Sequence, residues 1–402
     1  MISRIEDLLV GPAPAEVRRN MRIELGASMA AGPYQAALLF VPVVMQRLGA
    51  DAGMIALYLS ASYIGFLMTP FAARVIPARG VQTYLAWISG IGRAIFMLLG
   101  AAVTAPFMVA VSVVCFFLDS FPSPAYTRII QLIYPARIRG RAMGYVRLGL
   151  AGGMLIYAPL CGWILDRFGY TWLFPLAGAT GILSAWIFSH LRVDDAAPVR
   201  RDQRSVGDLW RVLKTDRRFQ VYLLAVTAFG LGGLIPSGFY PAVIVDRLNL
   251  SYTDVSALAT VQSVCWLAGY LVWGHVMDRF NGVWALRVLY LLMALVPLSY
   301  TWASSGWMLL PSFIAQGLGS AGIDLAFQNT IIELARDDRV YEYAALQRAT
   351  IGIRGLVGPL LGVWLAQMGV APLAIFIIGS SLYACAALLM ASRIFRSPAR
   401  TA

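Results

Sequence analysis

The sequence predicts an all-α polytopic membrane protein of about twelve transmembrane helices, set as two six-helix bundles in parallel pseudo-repeat. Three observations predict it. Apolar stretches of about 20 residues, the length that crosses a bilayer, recur along the whole chain. Only 13% of the 402 residues are charged and 59% are hydrophobic, where a soluble domain carries about 25% charged residues to keep its surface hydrated. Short strings recur in the same order about half a chain apart. The mean hydropathy of +0.71 agrees.

Helices are the open spanning structure available, because each backbone amide must find its partner within its own segment. The first six spans are predicted at 22–46, 53–73, 81–103, 105–131, 142–165 and 170–191. The second six follow at 219–244, 254–277, 284–304, 307–333, 344–368 and 371–391. Spans four and ten read as long, tilted segments. Spans one and seven carry AGPYQ (31–35) and GLGGLIPSGFYP (230–241), where proline removes an amide donor and frees carbonyls. Between the halves, 192–218 is the one sizeable polar segment. Within it SVGDLWRVLKTDRRF reads as an amphipathic helix capped by Ser205. Leu209, Trp210, Val212, Leu213 and Phe219 are expected along the membrane surface, with the arginines on anionic lipid.

The net charge of +12 is not a nucleic-acid footprint. Arginines crowd every second gap between spans, while the alternate gaps hold Arg47, Arg167 and Arg247. That positive-inside pattern places both termini and the central segment in the cytoplasm, in the inner (plasma) membrane of a bacterium. The four cysteines lie inside apolar stretches without CxxC spacing, and His190 and His275, at cytoplasmic helix ends, are read as lacking acids or cysteines at ligand spacing. No metal site and no cofactor are therefore expected. The first 20 residues show no apolar core followed by a cleavage site, so no removable signal peptide is expected.

MQRLGAD (45–51) matches IVDRLNLS (244–251), TRIIQL (127–132) matches NTIIEL (329–334), and PLCGWILDRFG (159–169) matches PLLGVWLAQMG (359–369). Pro33 and Pro236 fall at comparable depth. Each half holds an even number of spans, so both share one orientation. The predicted domains are an N-terminal bundle at 1–191, a cytoplasmic inter-bundle loop at 192–218, and a C-terminal bundle at 219–402.

With these strings on the page, the chain resembles the major facilitator superfamily over essentially its whole length. GHVMDRF (274–280) looks like that family's GxxxDR loop signature, and RIRGRAMGYVRLG (137–149), PLCGWILDRFGYTWLF (159–174) and GPLLG (358–362) are similar to its other motifs. The resemblance implies a cytoplasmic gate in which an acid and an arginine latch neighbouring helix ends. Here that falls on Asp278 and Arg279, because PFAARVIPARG (70–80) puts Arg74 where the first-half acid belongs. The helix-five pattern also departs, with Ala158 before Pro159 where glycine is expected. The resemblance further implies that spans one, four, seven and ten line a central cavity.

An ionisable group at membrane depth costs roughly 2.5–3.5 kcal/mol on insertion scales, so each needs a role or a partner. Asp119 and Asp324, in spans four and ten, are the proton-coupling candidates. Arg93 lies about 18 Å up span three at 1.5 Å per residue, a depth similar to Asp119. Asp119 is thus either a carboxylate whose proton follows transport or half of a permanent ion pair with Arg93. Arg147 and Arg354 either receive an anion or bridge helices. Tyr34, Gln35, Ser123, Tyr126, Ser237, Tyr240, Gln328 and Asn329 complete the expected cavity lining, against the plainer reading that such positions serve close packing. Glu24 and Glu333 are expected in interfacial ion pairs with nearby arginines.

The expectation is a monomeric secondary transporter of a small molecule, working by alternating access among membrane lipids. Proton-coupled efflux of an amphipathic compound is the first choice, because the cavity reads as mostly apolar. Uptake or facilitated transport of an organic anion is the second. A membrane enzyme or a sensor that has lost transport is the third: no acid–base–nucleophile cluster and no soluble output domain is visible.

Overall fold

The computed structural model describes residues 13–77, 79–135, 138–193, 206–335 and 339–395. Within these it is helical, without strands. The first half runs through α1 (Ala15–Arg47), α2 (Ala52–Ala61), α3 (Ile64–Val75), α4 (Val81–Phe96), α5 (Ala105–Asp119), α6 (Pro122–Ile133), α7 (Arg139–Phe168) and α8 (Tyr170–Ser189). The short α9 (Val206–Thr215) precedes α10 (Arg217–Leu234), α11 (Tyr252–Arg279), α12 (Gly282–Met293), α13 (Leu295–Trp302), α14 (Leu310–Leu334), α15 (Val340–Gln367) and α16 (Pro372–Met390). Ten spans among the described residues are long and apolar enough to cross a membrane. Two more helices, α7 with 30 residues and α14 with 25, stand where spans five and ten are expected.

The helix breaks have local causes. Span four is not one long helix. Pro122 and Pro124 remove two amide donors, and the chain tightens to i→i+3 bonds, Ser120 N–H to Phe117 O and Phe121 N–H to Leu118 O, both 3.2 Å. Asp119 therefore ends α5 rather than sitting in mid-helix. Span seven stops at Leu234 just before Pro236, then continues as single turns and a π-helical stretch, Val243–Arg247.

The chain divides into two compact units. One comprises Met1–Ala50, Leu67–Arg201 and Ser251–Ser256; the other comprises Asp51–Phe66, Asp202–Leu250 and Ala257–Ala402. In the first, α1 packs on α7 and α8, and α4 packs on α8, α5 and α6. In the second, α10 packs on α15 and α16, while α12 packs on α16 and α14. Spans 1, 5, 6, 3 and 4 thus neighbour one another in the order that spans 7, 11, 12, 9 and 10 repeat. A parallel duplication predicts this identity of packing.

The matched glycines show what the repeat preserves. In the first unit a side chain at Gly162 would meet Ser256 and the Tyr252 carbonyl; in the second, one at Gly362 would meet the Ile235 carbonyl. Both allow backbones to approach closely, the usual role of small residues between membrane helices.

The first turn of α11 is fixed within the first unit. Asp166 of α7 accepts from Tyr252 N–H (3.0 Å), Thr253 N–H (2.7 Å) and the Thr253 hydroxyl (2.6 Å). A carboxylate from another helix thereby caps the amides that a helix start leaves unpaired. The Arg47 guanidinium covers the Tyr252 ring, 3.7 Å from Cζ to centroid.

The segment after the first half departs from expectation. Val212 and Phe219 do not lie on a membrane surface; they are buried in the core of the second unit, and Leu213 packs against it. Asp216 fixes this docking, capping α10 at Phe219 N–H (3.1 Å) and accepting the Tyr343 hydroxyl of α15 (2.7 Å). Ser205 and the side chains of Leu209 and Trp210 lie outside those described.

Two predictions follow from these contacts. Gly362→Val should lower the thermal unfolding midpoint in detergent, because overpacking costs about 1–3 kcal/mol; Gly90→Ala, which meets nothing within 4 Å, should not. Asp166→Ala should cost about 0.5–2 kcal/mol as a lost cap, and Asp166→Asn should recover most of it. Equal midpoints for wild type and Asp166→Ala would remove the capping role.

Candidate functional site

The first unit encloses a cavity of about 340 Å³ between α1, α4, α5–α6 and α8. Its wall carries one guanidinium, Arg93, two carboxyl groups, Asp119 and Glu24, and the hydroxyls of Ser28, Ser89, Ser123, Ser184 and Tyr126. Ala27, Ala31, Leu85, Pro122, Ala185 and Phe188 form its apolar part. The size suits a compact ligand.

Each polar group is placed by its helix. Asp119 ends α5 at the proline break and accepts from the Tyr34 hydroxyl at 3.3 Å. Tyr34 is buried on α1, its ring against Phe96 at 4.8 Å. Arg93 lies across Gly181 of α8, where any added side chain would collide with its shaft. Its Cζ stands 5.4 Å from the Tyr34 ring centroid, a cation–π contact. The Arg93 Nε is buried without a hydrogen-bond partner among the described residues. Asp119 and Arg93 thus share a wall and meet through Tyr34.

Glu24 was the residue sequence reasoning placed least well. It is not in an interfacial ion pair: it is 1% exposed and accepts from the Tyr126 and Tyr134 hydroxyls, each at 2.5 Å. The available signal was the pair Tyr126, on span four, and Tyr134, just past its end. Glu333 meets no arginine among the described residues; it accepts Gly282 N–H at 2.8 Å, at the start of α12.

The second unit presents a different arrangement. Arg354 of α15 is 8% exposed and donates through Nη1 to the Val226 carbonyl of α10. Its Cζ lies 5.5 Å from the Phe229 ring centroid, and its shaft crosses Gly230. The phenols of Tyr63, Tyr222, Tyr290 and Tyr383 surround it electrostatically, and Nε has no partner among the described residues. Gln347 donates to the Tyr222 hydroxyl at 2.5 Å.

The remaining candidates are dispersed. Asp324 is exposed and accepts from the Tyr270 hydroxyl at 2.9 Å. Gln328 and Asn329 continue that exposed polar face of α14, with Asn329 Nδ2 3.2 Å from Met277 Sδ. Gln35 is exposed. The Ser237 hydroxyl is turned back on the Leu234 carbonyl (2.6 Å). Tyr240 stacks with Phe376 (5.6 Å) and Tyr300 (4.4 Å), its hydroxyl buried. At the expected gate, Arg74 is exposed beside Phe71, and Arg279 is exposed. The side chains of Arg147 and Asp278 lie outside those described.

Known proteins place this architecture. The chain is 21% identical over 248 residues to the "Probable galactarate/D-glucarate transporter GudP" of Escherichia coli (strain K12), covering 50% of this chain and 53% of the relative. The Bacillus subtilis (strain 168) protein of the same name is 22% identical over 238 residues, 53% of this chain and 52% of the relative. The chain spans about half the length of the curated relatives it matches. Among solved structures, the nucleoside transporter NupG superposes with a TM-score of 0.72 at 12% identity, covering 96% of this chain and 100% of that one. A bacterial homologue of the human lysosomal transporter Spinster, inward-facing and occupied, gives 0.60 at 15% identity, covering 96% and 95%. At these identities the structures speak for the fold alone. The family model described as Major Facilitator Superfamily matches residues 23–241 and 222–402, and the chain belongs to that family.

Proposed function

We propose that the chain is a secondary transporter that moves a small hydroxylated organic anion, together with protons, by alternating access. The observation that carries this reading is the Arg93 guanidinium, held at a polar cavity of about 340 Å³ with its Nε unpaired among the described residues. A carboxylate is the complementary ligand for a fork of N–H donors. The surrounding serine hydroxyls suit the hydroxyl groups of a sugar acid. The printed names of the two relatives, galactarate and D-glucarate, are of this class.

Charge balance supplies the coupling. The cavity wall holds one cation and two carboxyl groups, so an arriving anion meets an uncompensated negative charge in a poorly hydrated site. Protonation relieves this, and Asp119, in reach of both Tyr34 and the cavity, is the group to respond. Asp324, on the exposed polar face of α14, is the corresponding carboxyl of the second unit. Arg354, without a carboxylate partner inside its aromatic shell, is a second counter-charge that an anion can use. The arginine distribution favours cytoplasmic termini in a bacterial inner membrane, and two fused units make a monomer sufficient. The apolar stretch of the cavity wall, Leu85 to Phe188, favours a second reading, proton-coupled efflux of an amphipathic compound.

Flux in proteoliposomes decides between them. We predict that radiolabelled D-glucarate accumulates under an imposed pH gradient. Arg93→Ala should reduce accumulation at least tenfold and Arg93→Lys less, while Asp119→Asn should remove the pH dependence. Full accumulation by Arg93→Ala, or competition by a neutral nucleoside equal to that of glucarate, would sink the anion reading. Gradient-driven extrusion of a lipophilic dye in place of glucarate uptake would establish the second.

A further inference from the structure

A buried carboxylate with a cavity on either side is a different kind of feature from a ligand-binding wall. Glu24 stands nine residues into α1, about 14 Å from its start at helical rise, and faces the cavity that holds Arg93 and Asp119. One of its two phenol donors, Tyr134, also lines a second pocket of about 380 Å³ at the end where α1 begins and α6 stops. That pocket is walled by Glu16, Asn20, Arg139 and Arg192 together with Val17, Leu132, Ile133 and Pro135. Residues of the two spaces are thus joined through Glu24: Tyr126, of the cavity wall, and Tyr134, of the terminal pocket's wall, each donate to it at 2.5 Å.

We propose that Glu24 is a proton-binding site through which protons pass between the central cavity and this terminal pocket, with Tyr126 and Tyr134 as its gateposts. Buried ionisable groups in membrane helices commonly mark ion pathways because their burial is otherwise costly. Among the described residues the hydrogen-bond partners of Glu24 are two phenols and no cation. The groups facing it are those phenols from α6 and its flank, and Arg93 and Asp119 across the cavity. The wall from α8 adds Ser184, Ala185 and Phe188, none of which titrates near neutrality. From α7, the Arg147 side chain lies outside those described.

The step balances simply. The carboxylate takes one proton from a hydronium in the central cavity, leaving water and a neutral carboxyl group. It returns to carboxylate by giving that proton to the phenol oxygen of Tyr134, as the phenol's own proton passes to water in the terminal pocket. Neutralising Glu24 also loosens the two short bonds that tie α1 to α6, so proton occupancy changes how these helices are held. The inference rests on the proton coupling proposed above but not on the identity of the anion.

The test uses the full chain and two readouts. In infrared difference spectra between acid and alkaline pH, without substrate, the carbonyl band of protonated carboxyl groups seen in wild type should lose a component in Glu24→Gln, distinct from the component lost in Asp119→Asn. In proteoliposomes, Glu24→Gln should lower the ratio of gradient-driven D-glucarate accumulation to glucarate exchange at least tenfold. Tyr134→Phe should slow proton uptake measured with an entrapped pH dye. If Glu24→Gln fails to fold, Tyr126→Phe and Tyr134→Phe together should shift the pH at which the band appears. A carboxyl band identical in wild type and Glu24→Gln overturns the proposal, as does a pH dependence unmoved by the double tyrosine variant. Since the spectra need no substrate, failure of glucarate transport alone would count against the anion and leave Glu24 to be judged on its band.

Discussion

An ionised side chain within a bilayer-spanning bundle must be neutralised by protein groups or by what the protein carries, because the hydrocarbon around the bundle cannot solvate it. This constraint organises both units. Arg93 rests its shaft on Gly181 and its charge over Tyr34. Arg354 rests on Gly230, with Val226 and Phe229 as partners. Asp119 takes the Tyr34 hydroxyl, and Glu24 takes two phenols. Tyrosine is the common solution: it supplies an O–H to an acid and a π-face to a cation while the rest of its ring packs as hydrocarbon. A partner of this kind compensates a charge without a counter-ion of opposite sign.

The two units share a packing order but not a charge pattern. The first has acids and an arginine around an open cavity. The second wraps its arginine in aromatic rings and leaves its acid, Asp324, on an exposed face. Duplication preserved the features that let backbones meet, as at Gly162 and Gly362. The chemistry-bearing positions diverged, because helix packing tolerates a change of polar group more readily than added volume at a close contact.

Prolines connect the scaffold to the site. The break at Pro122 puts Asp119 at a helix end, where its carboxyl reaches Tyr34. Pro236 similarly interrupts span seven, yet the residues it frees are used internally: Ser237 bonds Leu234, and Tyr240 joins an aromatic stack. Comparable breaks thus end in a cavity in one unit and in packing in the other.

The sequence by itself determined the helical class, the spans and the duplicated order, because hydrocarbon enforces internally paired backbones and about 20 apolar residues per crossing, and such periodic constraints are written along the chain. It also marked Arg93, Asp119 and Arg354, since charges stand out against an apolar background. It did not reveal what those charges touch. Asp119 meets Arg93 through Tyr34, Glu24 is held by phenols rather than arginines, and Val212 and Phe219 enter a core rather than a membrane surface. Each depends on contacts between residues some 80 to 130 positions apart, or on which side of a helix meets protein rather than lipid. Lipid-facing and protein-facing apolar residues look alike in sequence, so only the packed structure decides which buried charge faces a cavity and which is enclosed.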